Sequence, residues 1–327
     1  MKNNDLYEKL KELTRKNISI SDLCDSLNLN ELEVLAIVRE LRNNGINIAD
    51  RKKDDDIYLI NQGDNEFEEE NNYILSSDEN NEFKFILISD TRLGSKYQQL
   101  SIINDIYTKG YSMGYNNVIL CGNISEGLYS LNDPYVDTIF LDDTMRQTDY
   151  IINNYPQLKS MRTYFILGKQ DEKHLKINKI NIGKRISQSR NDMIYLGCNS
   201  CNIMLDNTKI MLFSPKLSKT YTVSYRPQQQ IDSFRSEDKP NILLYGGLLQ
   251  MEKFTYRNVV VMSVPSVCAT TKEMNDKRYS NTVGAWYVTI KTNKKGYLES
   301  VKAFDSVYYK TNKNDYQNCK ALRKTVI

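Results

Sequence analysis

The sequence predicts an α/β protein in two parts, and two observations lead to this prediction. Residues 1–60 place apolar side chains at helical spacing and end in two strand-like runs. From Phe83 onward, short apolar runs alternate with helical stretches, which is typical of a layered α/β domain. A chain of 327 residues is long enough for one large and one smaller domain. We therefore expect domains at 1–60 and 83–327, joined by a linker at 61–82.

The composition is that of an ordinary globular protein, with 40% hydrophobic and 26% charged residues. A net charge of +3 predicts no overall attraction to nucleic acid or membrane. The sequence has no apolar run long enough to span a membrane, no apolar signal core at its start, and too few cysteines for a disulfide framework. We expect a cytoplasmic protein without membrane contact, and the abundance of Asn, Lys, Ile and Tyr favours a bacterial or phage source.

Three short helices are predicted in the first 43 residues. Leucines recur one turn apart in the first helix, a serine can cap the second, and Asn30 with Glu33 can cap the third. The residues that carry the first two helices are Leu6, Leu10, Leu13, Ser19, Ser21, Leu23 and Leu27. Gly45 ends the third helix, and two strands around a polar turn follow in INIADRKKDDDIYLI. This arrangement resembles the winged helix-turn-helix domain of the biotin-repressor type.

The segment 61–82 is acidic and is predicted to be a linker. It has no basic residue and few apolar anchors, although a short strand can form at Tyr73–Leu75. The acidic residues are Asp64, Glu66, Glu68, Glu69, Glu70, Asp78, Glu79 and Glu82.

The larger part contains three strand-to-loop units, in the order FKFILISD, NNVILCGN and RTYFILGK. Five more strands are predicted in MIYLG, CNIMLD, KIMLFS, NILLYGG and VVVMSVPS, and a closing pair in WYVTIK and LESVKAF. Continuous apolar runs of this kind are typical of strands buried on both faces. The tail at 308–327 is polar and mildly basic.

The loops after these strands resemble, in order, the metal-binding motifs of the calcineurin-like metallophosphoesterase family. The family's Asp-x-His corresponds to Asp90–Arg92, and its Gly-Asp corresponds to Gly122–Asn123. Its Gly-Asn-His-Asp/Glu motif corresponds to Gly168–Asp171, where Lys169 and Gln170 replace Asn and His. Ser214 stands where a histidine follows a later strand, and Gly246–Leu249 replaces Gly-His-x-His. The resemblance implies a four-layer α/β/β/α metallophosphoesterase-like domain.

Most of the family's metal ligands are missing. A two-metal site holds its cations about 3.5–4 Å apart with bridging carboxylates and imidazoles. Of the expected ligands only Asp90 remains; Asn123 is neutral, and Arg92 and Lys169 bring positive charge that repels metal ions. Neither Gly247 nor Leu249 has a donor atom in its side chain. We therefore expect no metal, no cofactor and no catalytic residue at this site.

Two uses of the altered site remain open. Arg92 and Lys169 can bind a phosphate group without metal, or one of them can pair with Asp90 and fill the pocket. We favour the ion pair. The single histidine, His174, matches none of the expected ligand positions and is predicted to face solvent or cap a helix. We interpret Cys198 and Cys201 as chance cysteines at a hairpin turn, since no second pair or histidines accompany them.

The third helix is poorly suited to read DNA. Its early outward positions are Glu31, Leu32, Leu35 and Ala36, and these neither attract phosphates nor hydrogen-bond to base edges. Basic residues occur later, at Arg39, Arg42, Arg51, Lys52 and Lys53, but Asp54, Asp55 and Asp56 offset them. Leu32 and Leu35 are better suited to a protein partner, or to packing within the protein itself.

Three functions are therefore considered. The first is a catalytically inactive scaffold or interaction protein in a phage or bacterial DNA-handling complex. The second is a regulatory DNA-binding protein that uses the wing and the basic tail. The third is a residual phosphoesterase or nuclease with one Mn²⁺ or other divalent metal on Asp90, Asn123 and Asp171.

Overall fold

A computed structural model describes residues 2–14, 18–43, 46–53, 56–64, 73–216 and 222–318. The chain divides into two compact units, Met1–Glu70 and Asn71–Ile327. In the described ranges no helix is both long and apolar enough to cross a membrane.

The first unit contains three helices and a three-stranded antiparallel sheet. Its elements are α1 (Lys2–Leu13), β1 (Ile18–Ser19), α2 (Ile20–Leu27), α3 (Glu31–Asn43), β2 (Ile46–Lys53) and β3 (Asp56–Asp64), with strand order β1-β3-β2. The Ser19 hydroxyl accepts from the Asp22 amide at 3.0 Å, which confirms a serine cap on α2. Asn30 and Glu33 exchange backbone-to-side-chain hydrogen bonds of 2.8 and 2.9 Å, which confirms their cap on α3. Gly45, Asp54 and Asp55 lie outside the described residues.

The core of the first unit is formed by one face of each helix packed on the sheet. Leu10, Leu23, Val34 and Leu59 are each at most 1% exposed. Burying these apolar side chains stabilises the unit, because its helices are too short to be stable alone in water.

Strands occupy both ends of the segment predicted as a linker. β3 continues to Asp64, the expected short strand β4 is present at Tyr73–Leu75, and β5 begins at Glu82. β4 pairs in parallel with residues 203–205, and the Tyr73 ring lies 5.6 Å from that of Tyr164. These contacts place residues 73–82 in the second unit. Their acidic composition predicted a linker, but strand pairing and ring packing attach them to the domain.

The second unit contains two six-stranded mixed sheets. The first has the order β15-β14-β5-β6-β7-β8, formed by β5 (Glu82–Ile88), β6 (Asn117–Cys121), β7 (Arg162–Leu167), β8 (Met193–Cys198), β14 (Gly284–Thr292) and β15 (Leu298–Val307). The second has the order β12-β13-β11-β10-β9-β4, formed with β9 (Ser200–Leu205), β10 (Thr208–Phe213), β11 (Ile242–Leu249), β12 (Glu252–Tyr256) and β13 (Val259–Pro265). Each sequence run that was predicted to be a strand contains a strand in the structure. β12 was not predicted, because its residues are partly exposed and do not form an apolar run.

Helices accompany the two sheets, and some of them cover the outer faces. They are α4 (Leu100–Ser112), α5 (Thr144–Asn154), α6 (Glu172–Asn178), α7 (Ile182–Ser189), α8 (Tyr225–Asp232), α9 (Lys272–Asp276) and α10 (Asp315–Asn318). Along β5, Phe85 and Leu87 face the second sheet, whereas Ile86 and Ile88 face the layer of α4, α5 and α7. Ile231 of α8 packs on the far side of the second sheet. This double burial is why the strands are apolar at successive positions.

The parallel strands β5, β6 and β7 end at the same edge of their sheet. The loops that follow them therefore converge, as loops do beyond the carboxyl ends of parallel strands. The Asp90 amide donates to the Gly122 carbonyl at 3.0 Å, and a side chain added at Gly168 would meet Asn123.

Candidate functional site

The candidate site is a buried polar network on the loops after β5, β6 and β7. Asp90, Arg92 and Asn123 each have a positive φ, between 45° and 57°. The surrounding structure holds this strained backbone, since the Arg92 amide donates to the Asn123 carbonyl at 3.1 Å. All three side chains are at most 5% exposed.

Asp90 has partners on both carboxylate oxygens. Its Oδ1 accepts from Arg92 Nε at 3.1 Å and from Asn123 Nδ2 at 2.9 Å. Its Oδ2 accepts from the Ser89 hydroxyl at 2.5 Å. Of the two ion pairs expected as alternatives for Asp90, the pair with Arg92 is present.

A second carboxylate, Glu126, holds the other end of Arg92. The distance from Arg92 Nη1 to Glu126 Oε1 is 3.4 Å, and the Tyr129 hydroxyl donates to the same oxygen at 2.6 Å. Burial lowers the pKa of Arg92, but Glu126 and Asp90 outweigh it, so the pKa lies well above its ordinary value. Burial also raises the pKa of Glu126, although Arg92 and Tyr129 oppose the rise. Glu126 was not singled out in the sequence analysis. Its position four residues after Gly122, in the loop after β6, is the signal that could have identified it.

Lys169 does not pair with Asp90, so that alternative is wrong. Lys169 Nζ lies 2.7 Å from Glu172 Oε1, and its side chain is 38% exposed. Lys176 Nζ contacts the other Glu172 oxygen at 2.8 Å, and Asn199 donates to Glu172 as well. Burial raises the pKa of Glu172, but these donors outweigh it and lower the pKa to about 2. Arg92 and Lys169 thus serve different carboxylates and do not form a common phosphate site.

Asp171 links the same loops through its hydrogen bonds. Its Oδ1 accepts from the Ser125 amide at 2.8 Å and the Ser125 hydroxyl at 2.6 Å. Its Oδ2 accepts from the amides of Gly168 at 2.8 Å and Ile124 at 3.2 Å. Burial raises the pKa of Asp171 to about 6, and the hydrogen bonds limit the rise.

His174 is completely buried, so the prediction of a solvent-facing or capping histidine is wrong. Its Nε2 lies 3.1 Å from the Ser125 hydroxyl, and its Nδ1 lies 2.9 Å from the Thr144 hydroxyl of α5. Burial, with a smaller effect of Lys173, lowers the pKa of His174 to about 4. The Ser125–His174 contact has the form of a nucleophile and its base. Both side chains are 0% exposed, however, so no substrate can reach them.

Among the remaining predicted positions, some lie beside the network and Leu249 lies away from it. Asn123 Oδ1 accepts from the Gln170 amide at 3.0 Å, so Gln170 borders the network. Ser214 is buried beside Gly122, and its hydroxyl has no hydrogen-bond partner among the described residues. Gly247 has a φ of 74°. Leu249, in contrast, lies in an apolar cluster with Cys268 and Met274.

The donor atoms of this site do not fit a divalent metal. Asp90 already accepts three hydrogen bonds, and the Asn123 amide nitrogen points at it. The buried Arg92 guanidinium supplies the positive charge that a metal would supply. In the described part of the chain, no three His, Cys, Asp or Glu side chains are grouped so that they could hold a metal ion. Cys198 and Cys201 lie at the β8–β9 turn, and Cys198 contacts Glu172.

In the first unit, the predicted partner residues line a shallow depression on α3. Leu32 is 80% exposed, while Leu35 is half-buried against the core. With Ala36, Arg39 and Glu40 they enclose about 380 Å³. The other predicted DNA-binding residues are Arg42 in α3 and Arg51, Lys52 and Lys53 in β2, whose side chains lie outside the described part of the structure.

No protein-family model and no curated protein sequence matches the chain. Similar solved structures include a novel archaeal phosphodiesterase, 12% identical over 69% of this chain and 100% of that chain, with a TM-score of 0.40. A predicted phosphoesterase from Streptococcus pneumoniae TIGR4 is 12% identical over 69% and 98%, with a TM-score of 0.32. Wild-type Vps29 complexed with Zn²⁺ from Entamoeba histolytica is 11% identical over 69% and 99%, with a TM-score of 0.35. The function is therefore inferred from this chain's own residues.

Proposed function

We propose that the protein is a non-catalytic scaffold, in which a degenerate metallophosphoesterase-like domain follows a winged helix-turn-helix domain. The observation that carries this proposal is the burial of Arg92 between Asp90 and Glu126, at 3.1 and 3.4 Å. In a phosphoesterase the corresponding space must hold metal ions and admit a phosphate ester. Here a guanidinium fills it, and both Arg92 and Asp90 are at most 1% exposed.

The energetics of the network support a structural role. Breaking a buried ion pair by removing one partner leaves an uncompensated charge in a medium of low polarity. A dication at Asp90 would have to displace Arg92 and Asn123 and would lie beside a cation whose pKa the carboxylates hold high. Arg92 therefore provides, as a permanent part of the protein, the positive charge that a metal ion would provide. It also links the loop after β5 to the loop after β6 through its contact with Glu126.

Metal titration tests the loss of catalysis. Purified full-length protein, freed of metal by chelation, is titrated with Mn²⁺ by calorimetry and assayed with a chromogenic phosphodiester. We expect neither stoichiometric binding nor hydrolysis above that of an Asp90→Asn variant. Stoichiometric Mn²⁺ together with Asp90-dependent hydrolysis would overturn the proposal and favour a single-metal enzyme on Asp90, Asn123 and Asp171.

A protein partner is proposed for the exposed face of α3. Leu32 is the most exposed leucine of the first unit's described residues, and the first turn of α3 carries Glu31 and Glu33. An apolar side chain beside acidic ones suits a protein surface better than phosphates. A phage or bacterial DNA-handling complex remains the expected setting for such a scaffold.

Direct DNA binding is the second candidate, favoured by the exposure of Arg39 next to this depression. Duplex mobility shifts at low salt compare the native chain with an Arg39→Glu/Arg42→Glu/Lys52→Glu/Lys53→Glu variant. We expect little duplex binding by either protein. A shift that is lost in the variant would instead favour the DNA-binding function.

A further inference from the structure

A second site lies on the second unit, in a groove beside the segment that follows β15. The groove encloses about 710 Å³ and is lined by parts of the loop before α4, parts of the segment between β13 and β14, and residues 307–309 and 311–314. Asp90, Arg92 and Glu126 do not line it, so it is separate from the buried network.

Hydrogen bonds hold the walls of this groove together. Gln99 exchanges two hydrogen bonds with the backbone of Asn312, at 2.7 and 3.0 Å. The Ala269 amide donates to the Tyr97 carbonyl at 2.9 Å, and the Tyr308 amide donates to the Val283 carbonyl at 2.8 Å. The groove is therefore formed in advance of any ligand.

The charge of the groove is positive. No aspartate or glutamate is among the described residues that line it, whereas Lys96 and Lys313 do line it and are exposed. Neither lysine has an ion-pair partner in the described ranges, unlike Lys169 or Lys109. Lys310 lies two residues before Asn312 and is also exposed. Unpaired lysines around a concave surface concentrate positive potential there, even though the whole chain is nearly neutral.

Aromatic and amide groups accompany these lysines. Tyr309 is 94% exposed, and no ring or ion-pair partner contacts it in the described part of the chain. The ring of Tyr308 is fixed by a 2.6 Å hydrogen bond from its hydroxyl to Asp105. Asn281 also lines the groove, and a 3.0 Å hydrogen bond from its Nδ2 to the Cys268 carbonyl fixes its side chain.

We propose that this groove binds single-stranded nucleic acid. Exposed lysines contact successive phosphates, and Tyr309 stacks on an unpaired base, which is the combination that sequence-tolerant single-strand binding uses. A free phosphate ion would be better held by an enclosed, converging set of donors than by lysines spread along an open groove. A duplex keeps its bases stacked and offers no face to Tyr309.

The test is fluorescence anisotropy with the full-length protein and a labelled deoxyoligonucleotide of about 12 nucleotides. We expect binding at low salt that weakens roughly 20-fold between about 50 and about 200 mM NaCl, because three lysine contacts on a single strand give a logarithmic slope of about −2. A Lys96→Glu/Lys313→Glu/Tyr309→Ala variant is expected to bind about tenfold more weakly or worse.

The β14–β15 turn offers a matched control. Lys294→Glu/Lys295→Glu/Tyr297→Ala changes the same residue types and the same charge at exposed positions, at the opposite end of that hairpin from Val283 and Val307. We expect this variant to bind as the native chain does.

Any of four outcomes with the native chain or the control variant would overturn the proposal. They are no anisotropy change at low salt, an equal loss in the control variant, a mononucleotide that competes as well as the unlabelled oligonucleotide, and a duplex that binds as tightly. Retention of binding in the groove variant with loss in an Arg39→Glu/Arg42→Glu variant would assign the site to the first unit instead.

Discussion

Arg92 and Asp90 lie two residues apart on one loop and form a 3.1 Å ion pair in which neither side chain is more than 1% exposed. Asp90 and Arg92, with only Thr91 between them, both have φ near 50°, a conformation that is ordinarily strained for non-glycine residues. The left-handed backbone at both residues turns their side chains toward each other and toward Glu126 and Asn123. Arg92 thereby supplies a positive charge between two buried carboxylates, Asp90 and Glu126.

Removing the charge of Arg92 is expected to destabilise the protein strongly. Arg92→Met leaves Asp90 and Glu126 buried without their cation, which costs about 3–5 kcal/mol. Urea denaturation of the full chain measures this free energy of unfolding. Lys169→Met is the control, since its half-exposed pair with Glu172 contributes about 1 kcal/mol or less. Equal losses in the two variants would contradict the central role of Arg92.

The buried His174 is expected to make stability depend on pH in a defined window. Its pKa falls from 6.5 to about 4 on folding, so the unfolded chain takes up the proton first as the pH drops. The contribution of His174 to stability, up to about 3 kcal/mol, is therefore lost between pH 6.5 and 4. A His174→Gln variant lacks this dependence, and untagged protein is required because the chain has one histidine.

Asp171 acts in the opposite direction over nearly the same range. Its pKa rises from 3.8 to about 6 on folding, so its contribution is present at low pH and is lost as the pH rises toward 6. The native chain therefore shows a weak net dependence from these two groups. We therefore compare the unfolding free energy of the native chain with that of the His174→Gln variant at each pH. The native value minus the variant value is expected to rise from pH 4 to 6.5. A difference that does not change with pH would rule out a neutral buried histidine.

Gly122 is expected to tolerate no side chain. Its φ is 89°, and an added Cβ would collide with the Ser214 side chain. Gly122→Ala should cost about 1–3 kcal/mol more than Gly114→Ala, because Gly114 has a similar φ of 80° but open space around it. Thermal unfolding measures both. Adding Ser214→Gly to Gly122→Ala should recover part of the loss; additive losses would contradict the proposed collision.

Leu32 is expected to serve binding and not folding. Leu32→Glu should change the free energy of unfolding by no more than about 0.5 kcal/mol, since the side chain is 80% exposed. Val38→Glu, at a site 1% exposed, should unfold the first unit. A photo-crosslinking residue at position 32 should capture protein in cells, and one at the exposed Asp25 should not. Capture of DNA at position 32 would contradict a protein partner.

The strand pattern and the scarcity of histidine were readable from residue identity. Apolar runs such as FKFILISD predict strands because the two faces of β5 are buried in different layers. The absence of histidine from the motif loops is a fact of composition, and no fold can supply a missing imidazole. Likewise, residue identity predicted that Asp90 pairs with a nearby cation, Arg92 or Lys169.

Only the tertiary structure decided which distant groups meet. Glu126 lies 34 residues from its partner Arg92, and Ser125 lies 49 residues from His174, so nothing local specifies these contacts. Lys169 could have paired with Asp90 on sequence grounds, but the start of α6 places Glu172 one turn away from it. The convergence of parallel strand ends fixes these neighbours, and burial then shifts the pKa values of Asp171 and His174. The sequence thus determined which strands form and which side chains the loops carry, and the fold determined which of those side chains meet.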